Sequence, residues 1–215
     1  MTGLAAGHDL CILSINPVVG WIDEFVSPHD LAQIEAALAQ VTTQPALITS
    51  EDGPVVDEKR VAQSYRIPGG SIPVVDSVLK QIAALLNLKP AQCESPELIS
   101  YDAGGEFKLH FDGALSGVMP EYAGTNCPPS QRIFTAVLYL NEDFTGGTTE
   151  FPRLDVEIQP KKGRVLFWQN TKPGTTNVHP FSMHQGCPVF EGNKRIISFW
   201  FRDRPHLPAE GRSDS

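Results

Sequence analysis

Apolar residues in the first half of the chain recur with helical spacing. Leu31, Ile34, Leu38 and Val41 fall on one face of a helix, and a face of that kind has to be covered by other parts of the molecule. The stretch Ser27-Pro28-His29-Asp30 reads as its start. Ser27 suits the N-cap, Pro28 the first helical position, and the charge of Asp30 favours the positive end of the helix dipole. Val75, Val78, Ile82 and Leu85 or Leu86 predict a second helix from near Ile72 to Leu86. It ends before Pro90, because proline disfavours helical geometry in the residue preceding it. Between the helices, Thr42 to Gly70 is polar and broken by proline and glycine, and is read as loops with one short strand.

After Pro96 the pattern changes. Ile99 to Tyr101, Phe107 to Phe111, Ile133 to Leu140, Val156 to Gln159, Val165 to Gln169 and Arg195 to Arg202 are short runs of β-branched and aromatic residues. Gly, Pro and Asn separate them. Helices followed by many short strands predict helices packed on an antiparallel double sheet, not an alternating α/β unit. Gly113 to Gln131 is too polar and glycine-rich for a strand, so it is expected to be a long loop bordering a site. Gly146-Gly147 is expected to form a tight turn, since no phosphate-binding G-x-x-x-x-G-K-[ST] motif is present. Residues 1–19 are expected to be a flexible leader, 20–204 a single domain and 205–215 a frayed tail.

Composition narrows the partners. The chain has 215 residues, enough for one buried core, and a formal charge of -8 without a dense basic run. Nucleic acid and an anionic membrane surface are therefore poor expectations. Without a signal-peptide pattern or a long apolar stretch, the chain reads as cytoplasmic. Cys11, Cys93, Cys127 and Cys187 form no C-x-x-C pair and are expected to be free thiols.

The candidate chemistry lies in His110-Phe111-Asp112. On an extended strand, residues two apart project from the same face, so both could ligate one ion. His184, far downstream, could complete a set of two histidines and one carboxylate that leaves positions on iron open. An isolated H-x-D is weak evidence, and the surrounding sequence carries the rest.

Tyr101-Asp-Ala-Gly104-Gly-Glu-Phe107-Lys-Leu-His110-Phe-Asp112 resembles the Y-x-x-G-x-x-Y-x-x-H-x-D stretch of the prolyl 4-hydroxylase-like branch of the 2-oxoglutarate and Fe(II)-dependent dioxygenases. Arg132-Ile-Phe-Thr135 is similar to its R-x-x-T strand, and Gly146-Gly147-Thr-Thr149-Glu-Phe151-Pro152 to its G-G-x-T-x-F-P turn. Pro160-Lys-Lys-Gly163-Arg-Val-Leu166-Phe167-Trp168 resembles its P-x-x-G-x-x-L-x-F strand pair. His184-Gln-Gly186-Cys187-Pro188-Val189-Phe-Glu-Gly192-Asn-Lys194 resembles H-x-G-C-P-V-x-x-G-x-K. With a weaker likeness around Trp21 to Pro28, the resemblance spans roughly residues 20–202.

The resemblance implies a mainly β fold, a double-stranded β-helix or cupin-like jelly roll with supporting N-terminal helices. The strand pattern alone permits that fold without selecting it over another sandwich. It also implies a hydroxylase using Fe(II), 2-oxoglutarate and O2, with ascorbate as a further candidate. His110, Asp112 and His184 would be the catalytic metal ligands. Lys194 would pair with the far carboxylate of 2-oxoglutarate, a dianion that needs a fixed cation, and Tyr101 and Thr135 would line the same pocket. Arg195 would face the other way on an extended strand. Arg132, Phe107 and Trp200 are the candidates for the substrate side, although Arg132 could instead anchor the preceding loop by a salt bridge.

The remaining histidines, His8, His29, His179 and His206, are not expected to ligate metal. His179 is expected on a rim or loop. Two departures from the family pattern bear on substrate: Phe107 stands for a tyrosine, and Arg195 for the tryptophan that usually follows the lysine. They favour a small molecule or free amino acid as substrate. A prolyl or other protein hydroxylase is the alternative, and a non-catalytic iron or 2-oxoglutarate sensor a third.

Overall fold

A computed structural model describes residues 9–50, 53–118 and 130–206. Its first half runs β1 (Leu10–Ile15), β2 (Val18–Ile22), α1 (Pro28–Leu38), β3 (Gln44–Pro45), β4 (Leu47–Ser50), β5 (Gly53–Val56), β6 (Arg60–Val61), β7 (Gln63–Arg66) and α2 (Pro73–Leu85). The second half is β-rich. It comprises β8 (Glu97–Asp102), β9 (Glu106–His110), β10 (Arg132–Tyr139), β11 (Thr145–Gly146), β12 (Thr149–Phe151), β13 (Val156–Ile158), β14 (Val165–Gln169), β15 (His184–Gly186), β16 (Val189–Glu191) and β17 (Asn193–Arg202).

The strands form an eight-stranded sheet in the order β1-β2-β14-β10-β17-β8-β7-β3 and a five-stranded sheet in the order β13-β12-β15-β9-β6. Two further pairs, β11 with β16 and β4 with β5, complete the set. Alternation along β10 shows how the layers are held. Ala136 and Leu138 join Ile34, Ile82 and Phe199 in a core under the helices, while Val137 and Tyr139 join Phe151, Leu166 and Trp168 in a second core between the sheets. Both faces of the central strands are buried, which is why they read as nearly continuous apolar runs. This is the jelly-roll arrangement with bracing helices.

Both predicted helices form. Ser27 caps α1, its Oγ accepting from the Asp30 N–H at 3.1 Å, and Leu31, Ile34 and Leu38 are buried. In α2 the buried face is Val75, Val78, Leu79, Ile82 and Ala83, with Leu85 and Leu86 packed at its margin.

Three expectations are corrected. Thr42 to Gly70 holds β3 to β7 in place of one short strand; these pieces are two to four residues long, too brief for a periodic signal. The leader expected over residues 1–19 contributes a strand, because β1 hydrogen-bonds to β2 and β2 to β14, at the edge of the large sheet. His206, expected in a frayed tail, is buried, and its N–H donates to the Ala91 carbonyl at 2.7 Å. His8, Cys127, residues 119–129 of the predicted long loop and the tail from 207 onward lie outside the described residues.

Candidate active site

Strand β9 ends at His110, and two residues later the chain has carried Asp112 into a buried position beside it. The antiparallel register of β15 on β9 sets His184 directly opposite His110. One rung of a sheet thus closes the long sequence gap between the histidines. Ligand atoms of His110, Asp112 and His184 all lie within 4.8 Å of one another, and no other group of metal-binding side chains of this kind occurs among the described residues.

The histidines are oriented from behind. His110 Nδ1 lies 2.7 Å from the Lys108 carbonyl, and His184 Nδ1 lies 2.9 Å from the Ser182 carbonyl. A carbonyl can only accept, so both Nδ1 atoms carry the proton and both Nε2 atoms present a lone pair. Those lone pairs face the Asp112 carboxylate, at 3.5 Å from His110 and 3.8 Å from His184. Three acceptors converging in a buried space repel one another unless a cation sits among them, and the donor set suits iron.

Burial holds the His184 pKa down to about 4, with His110 adding to the effect, so the ring is neutral and available as a ligand at neutral pH. Burial alone would raise the Asp112 pKa. In acid, where they are protonated, the neighbouring histidines, His184 foremost, together with Arg132 outweigh it and keep the carboxylate below its usual range.

Thr135 contacts the triad directly. Its Oγ1 donates to Asp112 Oδ2 at 2.6 Å and accepts from Asn170 Nδ2 at 2.9 Å. It therefore orients the carboxylate of the triad. Asn170 was not signalled by any motif, and its contact with Thr135 joins β10 to the residue just after β14.

Lys194 and Tyr101 stand opposite each other on β17 and β8. Lys194 Nζ donates to the Gly147 carbonyl at 2.6 Å and sits 5.4 Å and 5.7 Å from the ring centres of Tyr101 and Tyr139. A Cβ on Gly147 would come within 3.1 Å of the lysine stem, at a residue with φ of 66°, so glycine both makes the turn and leaves room for Lys194. Burial lowers the Lys194 pKa to about 8. Among the described residues no carboxylate reaches this ammonium. A buried cation of this kind is costly without a counter-ion, and the far carboxylate of 2-oxoglutarate fits the need. Tyr139 Oη and Thr149 Oγ1, 2.8 Å apart, add hydroxyls to this inter-sheet region and were not singled out from sequence. Arg195 points away, to Glu35 of α1 at 2.6 Å.

On the other side of the triad opens a cleft of about 980 Å³. Phe107, Arg132 and Trp200 all line it. Phe107 stacks on His110 with ring centres 3.5 Å apart. The Arg132 guanidinium lies 4.4 Å from the Trp200 ring centre and forms a two-point pair with buried Glu94, at 2.7 and 2.8 Å. Its ion pair with Glu94 reaches the segment before β8. Glu94 also accepts from Arg202 at 2.8 Å. Burial alone would raise its pKa; Arg132, then Arg202, outweigh burial and hold it near 2. His179 is buried, 3.2 Å from Asn16 Oδ1, and stands outside the metal group.

Comparison with known proteins places the chain. The profile of the 2OG-Fe(II) oxygenase superfamily matches residues 96–202, a span that contains the triad, Lys194 and Arg132. The chain belongs to this superfamily of oxygenases, which employ Fe(II), 2-oxoglutarate and O2. Within it, the chain is prolyl 4-hydroxylase-like. It is 27% identical over 194 residues to prolyl 4-hydroxylase subunit alpha-3 of Rattus norvegicus, covering 89% of this chain and 35% of that one. It is 31% identical over 147 residues to subunit alpha-1 of Gallus gallus, covering 67% and 28%. The chain thus spans about a third of the length of these curated relatives. Among solved structures it resembles the viral collagen prolyl hydroxylase of Paramecium Bursaria Chlorella virus-1 in its 2-oxoglutarate complex. The TM-score is 0.66 at 28% identity, over 86% of this chain and 95% of that one. No helix among the described residues is long and apolar enough to cross a membrane.

Proposed function

We propose that the chain hydroxylates a prolyl residue within a polypeptide, consuming 2-oxoglutarate and O2 and releasing succinate and CO2. His110, Asp112 and His184 hold Fe(II); Lys194, assisted by Tyr101, holds the far carboxylate of 2-oxoglutarate. When bound, the metal and co-substrate supply the oxidant that inserts one oxygen atom into a C–H bond. The work of the side chains is positional. The Lys108 and Ser182 carbonyls keep both Nε2 lone pairs aimed inward, Thr135 fixes one carboxylate oxygen, and the walls of the inter-sheet core keep water from the co-substrate end.

The observation that carries the peptide reading is the cleft. Its 980 Å³ sits at the top of the range of about 300–1,000 Å³ for ligand pockets, and its walls run from the triad to β3, β4 and β7. A free amino acid would leave most of it empty. The relatives, a prolyl 4-hydroxylase subunit and a collagen prolyl hydroxylase, point the same way. Of the two departures that favoured a small molecule, Arg195 lies away from the cleft against Glu35. Phe107 alone alters the lining, exchanging a hydroxyl for an apolar edge.

The test is turnover. Reconstituted with Fe(II) and 2-oxoglutarate, the protein is given a prolyl peptide library and, separately, a mixture of free amino acids and small metabolites. Succinate is followed together with any species gaining one oxygen. Hydroxyproline in peptides, lost in His110→Ala, supports the proposal. Product only in the small-molecule arm would transfer the assignment to a metabolite hydroxylase, and co-substrate binding without turnover in either arm would favour a sensor.

A further inference from the structure

Phe107 is held against the metal group on the side where substrate enters. It stands on β9 shortly before His110, and its ring stacks on the His110 imidazole with 3.5 Å between ring centres and 14° between planes. The strands on either side of β9 fix it there. Arg60 of β6 is its register partner, with the guanidinium 5.1 Å from the ring centre, and Gly186 of β15 is its partner on the other side. Arg60 is itself tied down, 3.3 Å from Glu97 and 2.7 Å from the Leu47 carbonyl. The ring is half-buried and lines the cleft.

Other rings near the ligands are placed differently. Trp168 and Phe151 approach His184, with 4.6 and 5.4 Å between ring centres, but from the inter-sheet core, and neither lines the cleft. Trp200 lines the cleft, with the Arg132 guanidinium over its ring at 4.4 Å. Among the described residues, Phe107 is the aromatic side chain that both stacks on a candidate metal ligand and lines the cleft. Oxidation at a centre that opens on the cleft therefore has this ring within its surroundings before any substrate arrives.

We infer that Phe107 is a modification site: with the cleft empty of substrate, the enzyme hydroxylates the ring of its own Phe107. This rests on the iron and 2-oxoglutarate chemistry of the superfamily and not on the prolyl reading. The step balances as substrate turnover does. O2 accepts two electron pairs, one from 2-oxoglutarate as it loses CO2 and becomes succinate, the other from the ring. One oxygen atom enters the new carboxylate of succinate, and the other converts a ring C–H bond into C–O–H. Electrophilic oxidation of an alkyl-substituted ring goes ortho or para to the alkyl group, and Cβ crowds the ortho carbons, so the product is tyrosine. Proximity takes the place of substrate affinity, because the ring is already fixed beside the centre. The product carries the hydroxyl that the Y-x-x-H-x-D pattern has at this position, and it turns an apolar edge of the cleft polar.

The test uses protein purified under argon, then incubated with Fe(II), 2-oxoglutarate, catalase and air but no substrate. Added oxygen is located by tandem mass spectrometry of proteolytic peptides, and succinate is measured alongside. Phe107→Tyr, never exposed to co-substrate, supplies the reference peptide. The Phe107 peptide of the native chain should gain one oxygen atom as succinate accumulates and should co-elute with that reference. The gain should be lost when 2-oxoglutarate is omitted and in His110→Ala. Absence of oxygen on Phe107, whether or not succinate forms, overturns the inference, as does oxygen placed on Trp168, on Trp200 or at another position of the Phe107 ring. An equal gain in either control would make it damage by dissolved iron and also overturn the inference. Hydroxylated Phe107 in a protein that oxidises no prolyl peptide removes the prolyl reading and leaves the modification site standing. Prolyl turnover by a chain whose Phe107 stays unmodified after incubation without substrate does the reverse.

Discussion

Replacing Thr135 with valine removes one hydroxyl and almost no volume. That hydroxyl donates to Asp112 Oδ2 at 2.6 Å and accepts from Asn170 Nδ2 at 2.9 Å, and all three residues are buried. Two separable losses follow. A hydrogen bond to an ionised group is worth about 1.5–3 kcal/mol, and losing an outer partner of a metal ligand typically costs about 10–100-fold in metal affinity. Among the described residues Asn170 Oδ1 has no partner, so the substitution leaves the buried amide bonded to none of them, at a cost of about 1–3 kcal/mol in stability. Thr135→Val combined with Asn170→Leu removes both polar partners, and stability should largely return while metal affinity does not. Anaerobic calorimetric titration with Fe(II) or Mn(II) reads the first loss, and urea unfolding of the metal-free protein reads the second. Native metal affinity in Thr135→Val would refute the orienting role. So would recovery of affinity along with stability in the double variant, which would reduce the effect to folding.

Lys194→Met should raise the KM for 2-oxoglutarate about 100-fold, since breaking a buried charge pair costs about 3 kcal/mol or more, and saturating co-substrate should restore turnover. The same variant, free of co-substrate, should be more stable than the native chain to urea, because it no longer buries an uncompensated cation. The KM for 2-oxoglutarate should be flat below about pH 8 and rise above it, as the buried ammonium loses the proton that the dianion needs. The unfolded chain keeps that proton up to the usual lysine value of 10.5, so between about 8 and 10.5 the contribution of Lys194 to the stability of the co-substrate-free protein rises with pH. Glu94 behaves oppositely: with its pKa held near 2 against a usual 4.5, its contribution is complete above 4.5 and is lost as pH falls toward 2. Glu94→Gln should cost about 3 kcal/mol or more in urea unfolding at neutral pH, because it leaves two buried guanidiniums without their carboxylate.

The parts of this fold that were legible in the sequence are those with a local signature. The apolar period of α1 and α2, the Ser27 cap and the aromatic and β-branched runs of β8, β9, β10, β14 and β17 are all local patterns. The candidate ligands were also legible, because His110 and Asp112 are neighbours and His184 lies in a distinctive segment. What joins them was not: the rung setting His184 against His110 is a matter of register between distant strands. The contacts of Thr135 with Asp112 and Asn170, and of Arg132 and Arg202 with Glu94, connect residues far apart in the chain and leave no periodic or motif signal. The strands β3 to β7 escaped because two to four residues cannot display a period, and β1 because an edge strand with Leu10 and Ile12 partly exposed resembles a loose terminus.

The most direct measurement is an anaerobic optical titration of the protein with Fe(II) and 2-oxoglutarate. A 2-oxo acid chelated to Fe(II) gives a visible charge-transfer absorption. Iron held by His110, Asp112 and His184, with the co-substrate anchored at Lys194, predicts that this band grows to one equivalent in the native chain. It should be absent in His110→Ala and appear only at much higher 2-oxoglutarate in Lys194→Met. A native protein that shows no band at saturating iron and co-substrate, or a band unchanged in His110→Ala, would contradict the assignment of the centre.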